Sequence, residues 1–89
     1  MRAVITVIGK DMVGILAKIS TECCNHNINV LEVTQSILQD MFAMIMMVDI
    51  SKSDIPFTLF AEMLQKRGEE MGLSIHAMHE DIFNAMHTI

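Results

Sequence analysis

Residues Ile5–Leu16 read ITVIGKDMVGIL, and this stretch decides the fold. An apolar strand, Ala3–Ile8, runs through a short turn, Gly9-Lys10-Asp11, directly into an amphipathic helix. Asp11 is placed to be the N-cap of that helix, and Gly14 falls in its first turn. A helix start carries four backbone N–H groups without intrahelical partners and a partial positive charge. Without a Cβ at Gly14, a carboxylate or a neighbouring subunit can approach the backbone there. The stretch contains no nucleophile and no acid–base pair.

Working outward, the periodicity gives strand–helix–strand twice. Val13, Leu16, Ala17, Ser20, Cys23 and Cys24 follow helical spacing, which predicts a helix over Met12–His26 ended by Asn25-His26-Asn27. Ile28–Leu38 is a second strand, with Leu31, Val33 and Ile37 on one side and Val30, Glu32, Thr34 and Ser36 on the other. Gln39-Asp40 turns the chain into a third strand, Met41–Ile50, as a hairpin. Pro56 fits the first turn of a second helix, whose buried stripe is Phe57, Phe60, Leu64 and Met71. Gly72 suits the left-handed position after that helix. Leu73–His79 is the fourth strand, and 80–89 is a tail of helical character.

The same residues carry a family resemblance. VIGKDMVGILAKIS (Val7–Ser20), followed by NHNINVL (Asn25–Leu31), resembles the opening of an ACT domain. The resemblance spans the whole chain and is closest to small stand-alone members ending in a segment like HEDIFNAMH, here His79–His87. Many members carry Arg-Pro where this chain has Met12-Val13. The resemblance implies an α+β, ferredoxin-like βαββαβ fold. Its antiparallel four-stranded sheet would have order 4-1-3-2, with two helices on one face, over a single domain 1–89.

It also implies a regulatory role: binding a small effector, most simply an amino acid, at a subunit interface and signalling to a protein partner. The ligand carboxylate would accept from backbone N–H groups at Met12, Val13, Gly14 and Ile15. Its ammonium would find Asp11 or the amide oxygen of Asn29, where ACT domains often present an amide to an effector on the neighbouring subunit. On residue chemistry alone, a capped helix start and a strand-entry asparagine bonding local backbone explain the same positions. A ligand-free interaction module is the alternative function, and a metal-binding ferredoxin-like protein a distant third.

Composition narrows the remaining classes. The net charge is −5, and the six Lys and Arg are scattered apart from Lys66-Arg67, so no phosphate-binding face forms. There is no Trp or Tyr, and the four Phe lie in apolar patterns, which removes a base-stacking platform. No apolar run approaches the roughly 20 residues of a membrane span. Met1–Ile8 is strand-like, so no signal peptide is expected. Cys23 and Cys24 are adjacent on a helix, where a bridge is strained, and a reducing, cytoplasmic setting follows.

Metal, cofactor and catalytic readings are poor. His76 and His79 lie three apart on a strand and face opposite sides. Ten methionines, four of them in Met41–Met47, could suggest copper(I), but Met alternating with Phe, Ile, Ala and Val is packing first. Ser20, Thr21 and Glu22 have no His placed to orient them, and Asp49, Asp54, Glu69 and Glu70 read as solvated surface. His26 is placed to meet the last helix carbonyls. An enzyme and a bound cofactor are therefore not expected.

The third strand bears on assembly. Phe42, Met44, Met46 and Val48 make one apolar face, and Met41, Ala43, Ile45 and Met47 the other. Two helices cover one face of a sheet only, so the second face meets the tail or a partner chain. A homodimer is the expectation.

Overall fold

A computed structural model describes residues 1–10 and 14–86, the Leu38 side chain excepted. The elements run β1 (Arg2–Gly9), α1 (Ile15–Asn25), β2 (Asn29–Leu38), β3 (Met41–Asp49), α2 (Phe57–Glu70), β4 (Ser74–His79) and α3 (Glu80–Met86). The strands form one antiparallel sheet in the order β2-β3-β1-β4, which is 4-1-3-2 counted from the other edge.

Alternation sets the core. Ala3, Ile5 and Val7 of β1 stand beside Val48, Met46 and Met44 of β3, and all six are buried. Ile15, Ile19 and Cys23 of α1 and Phe60 and Leu64 of α2 pack into the same cluster. Removing such side chains from water contributes about 1.5–3 kcal/mol each. The other face carries Val4, Thr6 and Ile8 against Met47, Ile45 and Ala43.

Three features depart from the sequence reading. First, α1 begins at Ile15, not Met12, and its N-cap is Gly14 at φ +75°, not Asp11. A residue at that φ cannot sit inside a right-handed helix, so the helix starts after it. Asp11, Met12 and Val13 lie outside the described residues.

Second, β2 does not alternate cleanly. A register shift between Val30 and Glu32 puts Val30 beside Val33 against the core and leaves Leu31 46% exposed. One extra residue in a bulge inverts the faces on either side of it. Third, Pro56 is the N-cap of α2 and not its first turn, with ψ at 143°. Its carbonyl accepts from the N–H groups of Leu59 and Phe60, at 3.1 Å each.

Both long helices end alike. After α2, Gly72 adopts φ +72°, and the Leu73 N–H donates to the Gly68 carbonyl at 2.7 Å. After α1, Asn27 adopts φ +58°, and the Ile28 N–H donates to the Cys23 carbonyl at 2.8 Å. These are Schellman closures, with glycine in one and asparagine in the other.

The segment read as a tail opens with a helix. α3 rests on β1 and β4. Its Phe83 and Met86 bound a groove of about 560 Å³ over Thr6, Ile8, Ile45 and Met78 of the sheet's other face. Arg2 anchors its start through Nε and Nη2 to the two Glu80 carboxylate oxygens, at 2.6 and 2.9 Å.

Candidate functional site

Gly14 is the N-cap of α1, and no side chain among the described residues caps it. The first helical bond runs from the Lys18 N–H to the Gly14 carbonyl at 3.1 Å. A Cβ built on Gly14 would meet nothing within 4 Å. Among the described residues the glycine is therefore required by its φ, not by close packing. The Ile15 side chain is 4% exposed and belongs to the core, so only its backbone could serve a ligand.

Asn29 is elsewhere. It opens β2 opposite Asp49, and Asp49 is also the partner of Arg2 at the start of β1. Gly9, the β1 end that leads to Gly14, is paired with Phe42, which in turn faces Ile37. The 11 residues of α1, about 16 Å of helix, separate the two ends. Within one chain Gly14 and Asn29 are not brought together.

Lys10, for which the sequence carries no site signal, borders a hollow of about 600 Å³ with Ile8, Met41, Glu69 and Ser74. Its ammonium lies 3.9 Å from Asp40, and both side chains are well exposed. Glu69 is exposed, as expected of a surface carboxylate. The chain reversal at Gly72 brings it to the same hollow as Lys10, which nothing in the linear sequence signals.

The other candidates have structural occupations. His26 donates its backbone N–H to the Cys23 carbonyl, but its ring does not meet the helix carbonyls. Nδ1 lies 2.9 Å from Asp54 Oδ1, and the ring meets Phe60 edge-on at 6.2 Å. The Asp54 N–H also donates to the His26 carbonyl at 3.2 Å, so this pair fastens the end of α1 to the approach to α2. The Thr21 hydroxyl donates to the Ala17 carbonyl at 2.8 Å, and Glu22 pairs with Arg67 at 2.9 Å.

Cys23 and Cys24 are both free thiols. Cys23 is buried, and burial first, then the Glu22 charge and Cys24, push its thiol up to about 11. Cys24 is exposed. His76 pairs with Thr6 on the outer face and lies 3.1 Å from the Ser74 hydroxyl, whereas the His79 ring meets Phe57 at 4.6 Å, tilted by 45°. No group of three His, Cys, Asp or Glu stands close enough to hold a metal among the described residues. No helix among them is long and apolar enough to cross a membrane.

The comparisons with known proteins agree with this architecture. The family model for the ACT domain matches residues 2–78. The chain belongs to the ACT domain family. A UPF0237 protein of Methanopyrus kandleri is 47% identical over 88 residues, covering 99% of this chain and 98% of that one. A UPF0237 protein of Listeria innocua is 47% identical over 89 residues, covering both chains fully. An ACT domain protein from Streptococcus pneumoniae has the same fold at a TM-score of 0.80, with 30% identity over 93% of each chain. The ACT domain is a regulatory, small-ligand-binding fold, and this membership points to regulation and not to catalysis.

Proposed function

We propose that this ACT domain senses a small effector, an amino acid, at a site shared between two copies, and passes the signal to a protein partner. The observation that carries the reading is the N-cap of α1: a left-handed Gly14 on which a Cβ would meet nothing within 4 Å among the described residues. Backbone N–H groups from Met12 to Ile15 would receive the ligand carboxylate, and Asp11 or an Asn29 amide oxygen its ammonium. A helix terminus favours an anion by about 0.3–2 kcal/mol. Binding in the micromolar to millimolar range follows for so small a ligand.

The separation of Gly14 from Asn29 supports a site made by two chains. β2 is an edge strand, and Ile37 on it is 72% exposed. Antiparallel pairing of two β2 edges about a two-fold axis reverses the partner strand. The Asn29 end of one copy is thereby carried toward the Gly14 end of the other. Two free thiols fit a reducing, cytoplasmic setting.

The test is a melting-temperature screen of the twenty amino acids, followed by calorimetric titration of the hit. Gly14→Asn, which tolerates positive φ and places a side chain at the helix start, should abolish binding, and so should Asn29→Ala. Mixing equal amounts of the two inactive variants should restore one of the two sites in each heterodimer, about a quarter of all sites after random exchange, because that shared site then has both native residues. No recovery on mixing, with dimers exchanging, counts against a shared site. A flat screen, with a protein captured through the outer sheet face, favours a ligand-free interaction module. A metal-binding role has no supporting ligand cluster among the described residues.

A further inference from the structure

We infer that the effector is an amino acid with an acidic side chain, aspartate or glutamate, whose second carboxylate is received by Lys52. The inference rests on the shared-site reading and adds to it the class of ligand. Asn29 borders a hollow of about 600 Å³ with Ser20, Cys24, Asn27 and Lys52. Small-molecule sites measure about 300–1,000 Å³, so there is room for a side chain beyond the Asn29 amide. Ser20 and Cys24 lie about one turn apart on α1, and Asn27 follows the end of that helix. Lys52 comes from the turn after β3, whose Asp49 is the ladder partner of Asn29.

Charge selects what enters. Lys52 is the one charged residue bordering the hollow among the described residues, and the other polar groups there are a hydroxyl, a thiol and amides. It is exposed, and no carboxylate among the described residues lies within ion-pair distance of it. The acidic groups at this end of the fold are engaged elsewhere. Asp49 holds the Ser51 N–H at 2.9 Å and lies 3.7 Å from the N-terminal ammonium, and Asp54 lies 2.9 Å from His26. The negative end of α1 is also occupied: the Cys23 carbonyl accepts from the His26 and Ile28 N–H groups, and the Cys24 carbonyl from Asn27. An incoming carboxylate therefore meets an unpaired ammonium and neutral donors, whereas a basic side chain meets like charge.

The Gly14 end does not offer the same. Lys10 borders a hollow there, but Asp40 lies 3.9 Å from its ammonium and Glu69 borders the same space. With the α-carboxylate held by one copy and the ammonium by Asn29 of the other, a side chain directed past Asn29 enters the second copy's hollow and reaches Lys52.

The melting-temperature screen of the twenty amino acids, followed by calorimetric titration of the full chain with aspartate and glutamate, tests this. An acidic amino acid should give the largest rise. Lys52→Gln should weaken its binding about three- to tenfold, and Lys52→Arg should retain it. Lys66→Gln, at an exposed lysine on α2, should leave binding unchanged. Lys52→Glu should move the preference to lysine or arginine. These variants fold, because the turn is closed by backbone, the Ser53 N–H donating to the Ile50 carbonyl at 3.2 Å. The assignment is overturned, with the shared site left standing, if a neutral or basic amino acid gives the largest rise, or if Lys52→Gln binds the acidic ligand as the wild type does. A screen in which no amino acid raises the melting temperature overturns the assignment and the shared-site reading together.

Discussion

A Cβ on Gly68 would stand 2.8 Å from Cγ1 of Ile75 and 3.0 Å from the Leu73 carbonyl oxygen. Gly68 therefore continues the buried stripe Phe60–Leu64 by removing its own side chain, and α2 lies on β4 at backbone distance. Gly68→Ala must push helix and strand apart. Overpacking costs about 1–3 kcal/mol, and the better helix propensity of alanine returns at most about 1. The expected result is a melting temperature several degrees lower. Combined with Ile75→Ala, which empties the clashing space, Gly68→Ala should cost less than when made alone.

Asn27 holds the left-handed position that closes α1. Asn27→Gly keeps the closure without the Cβ penalty and should raise stability by about 0.5–1 kcal/mol. Asn27→Val should lower it by about 1–2 kcal/mol, because a branched side chain is strained at that φ. Denaturant midpoints of the two variants, moving in opposite directions from the wild type, provide the check.

The adjacent thiols should behave differently. In the native protein a disulfide reagent at neutral pH should label one cysteine, Cys24, within minutes, and both in denaturant. Cys23 is raised to about 11, above its ordinary value of 9.0, so the folded state holds its proton longer than the unfolded one. Stability is then full below about pH 9 and falls as pH rises toward 11. Cys23→Ser should flatten that alkaline limb, measured against its own neutral-pH stability.

Asp49 should shape the acid limb. Its carboxylate accepts from the Ser51 N–H at 2.9 Å and lies 3.7 Å from the N-terminal ammonium, with Ser51 the main cause of a pKa below the ordinary value. The group is stabilising above its unfolded pKa, and that contribution is lost as pH falls through the lower folded value. Asp49→Asn should reduce the slope of melting temperature against pH below about pH 4.

Element order and most of the core were legible in the sequence because both depend on local periodicity. Alternation in Met41–Val48 and the spacing of Phe60 and Leu64 are statements about neighbours a few residues apart. The resemblance in Val7–Ser20 gave the family, since that pattern is carried by consecutive residues. The bulge at Val30–Glu32 escaped, because a strand with one extra residue still looks like a strand. Gly68 escaped for a related reason: what forbids a side chain there is Ile75, on another element. That Glu69, an exposed residue, borders the same hollow as Lys10 follows only from the reversal at Gly72.

The sequence by itself determined the order of strands and helices, because backbone preference and hydrophobic period act over a turn or two. Tertiary structure alone decided where these pieces lie relative to one another. It set α3 on the outer face through Arg2 and Glu80, 78 residues apart. It also put Gly14 and Asn29, both near α1 in sequence, at opposite ends of the sheet, because a helix carries the chain the length of the strands before it turns back. The physical reason is that contact across a fold depends on packing summed over distant residues, which no short window of sequence contains.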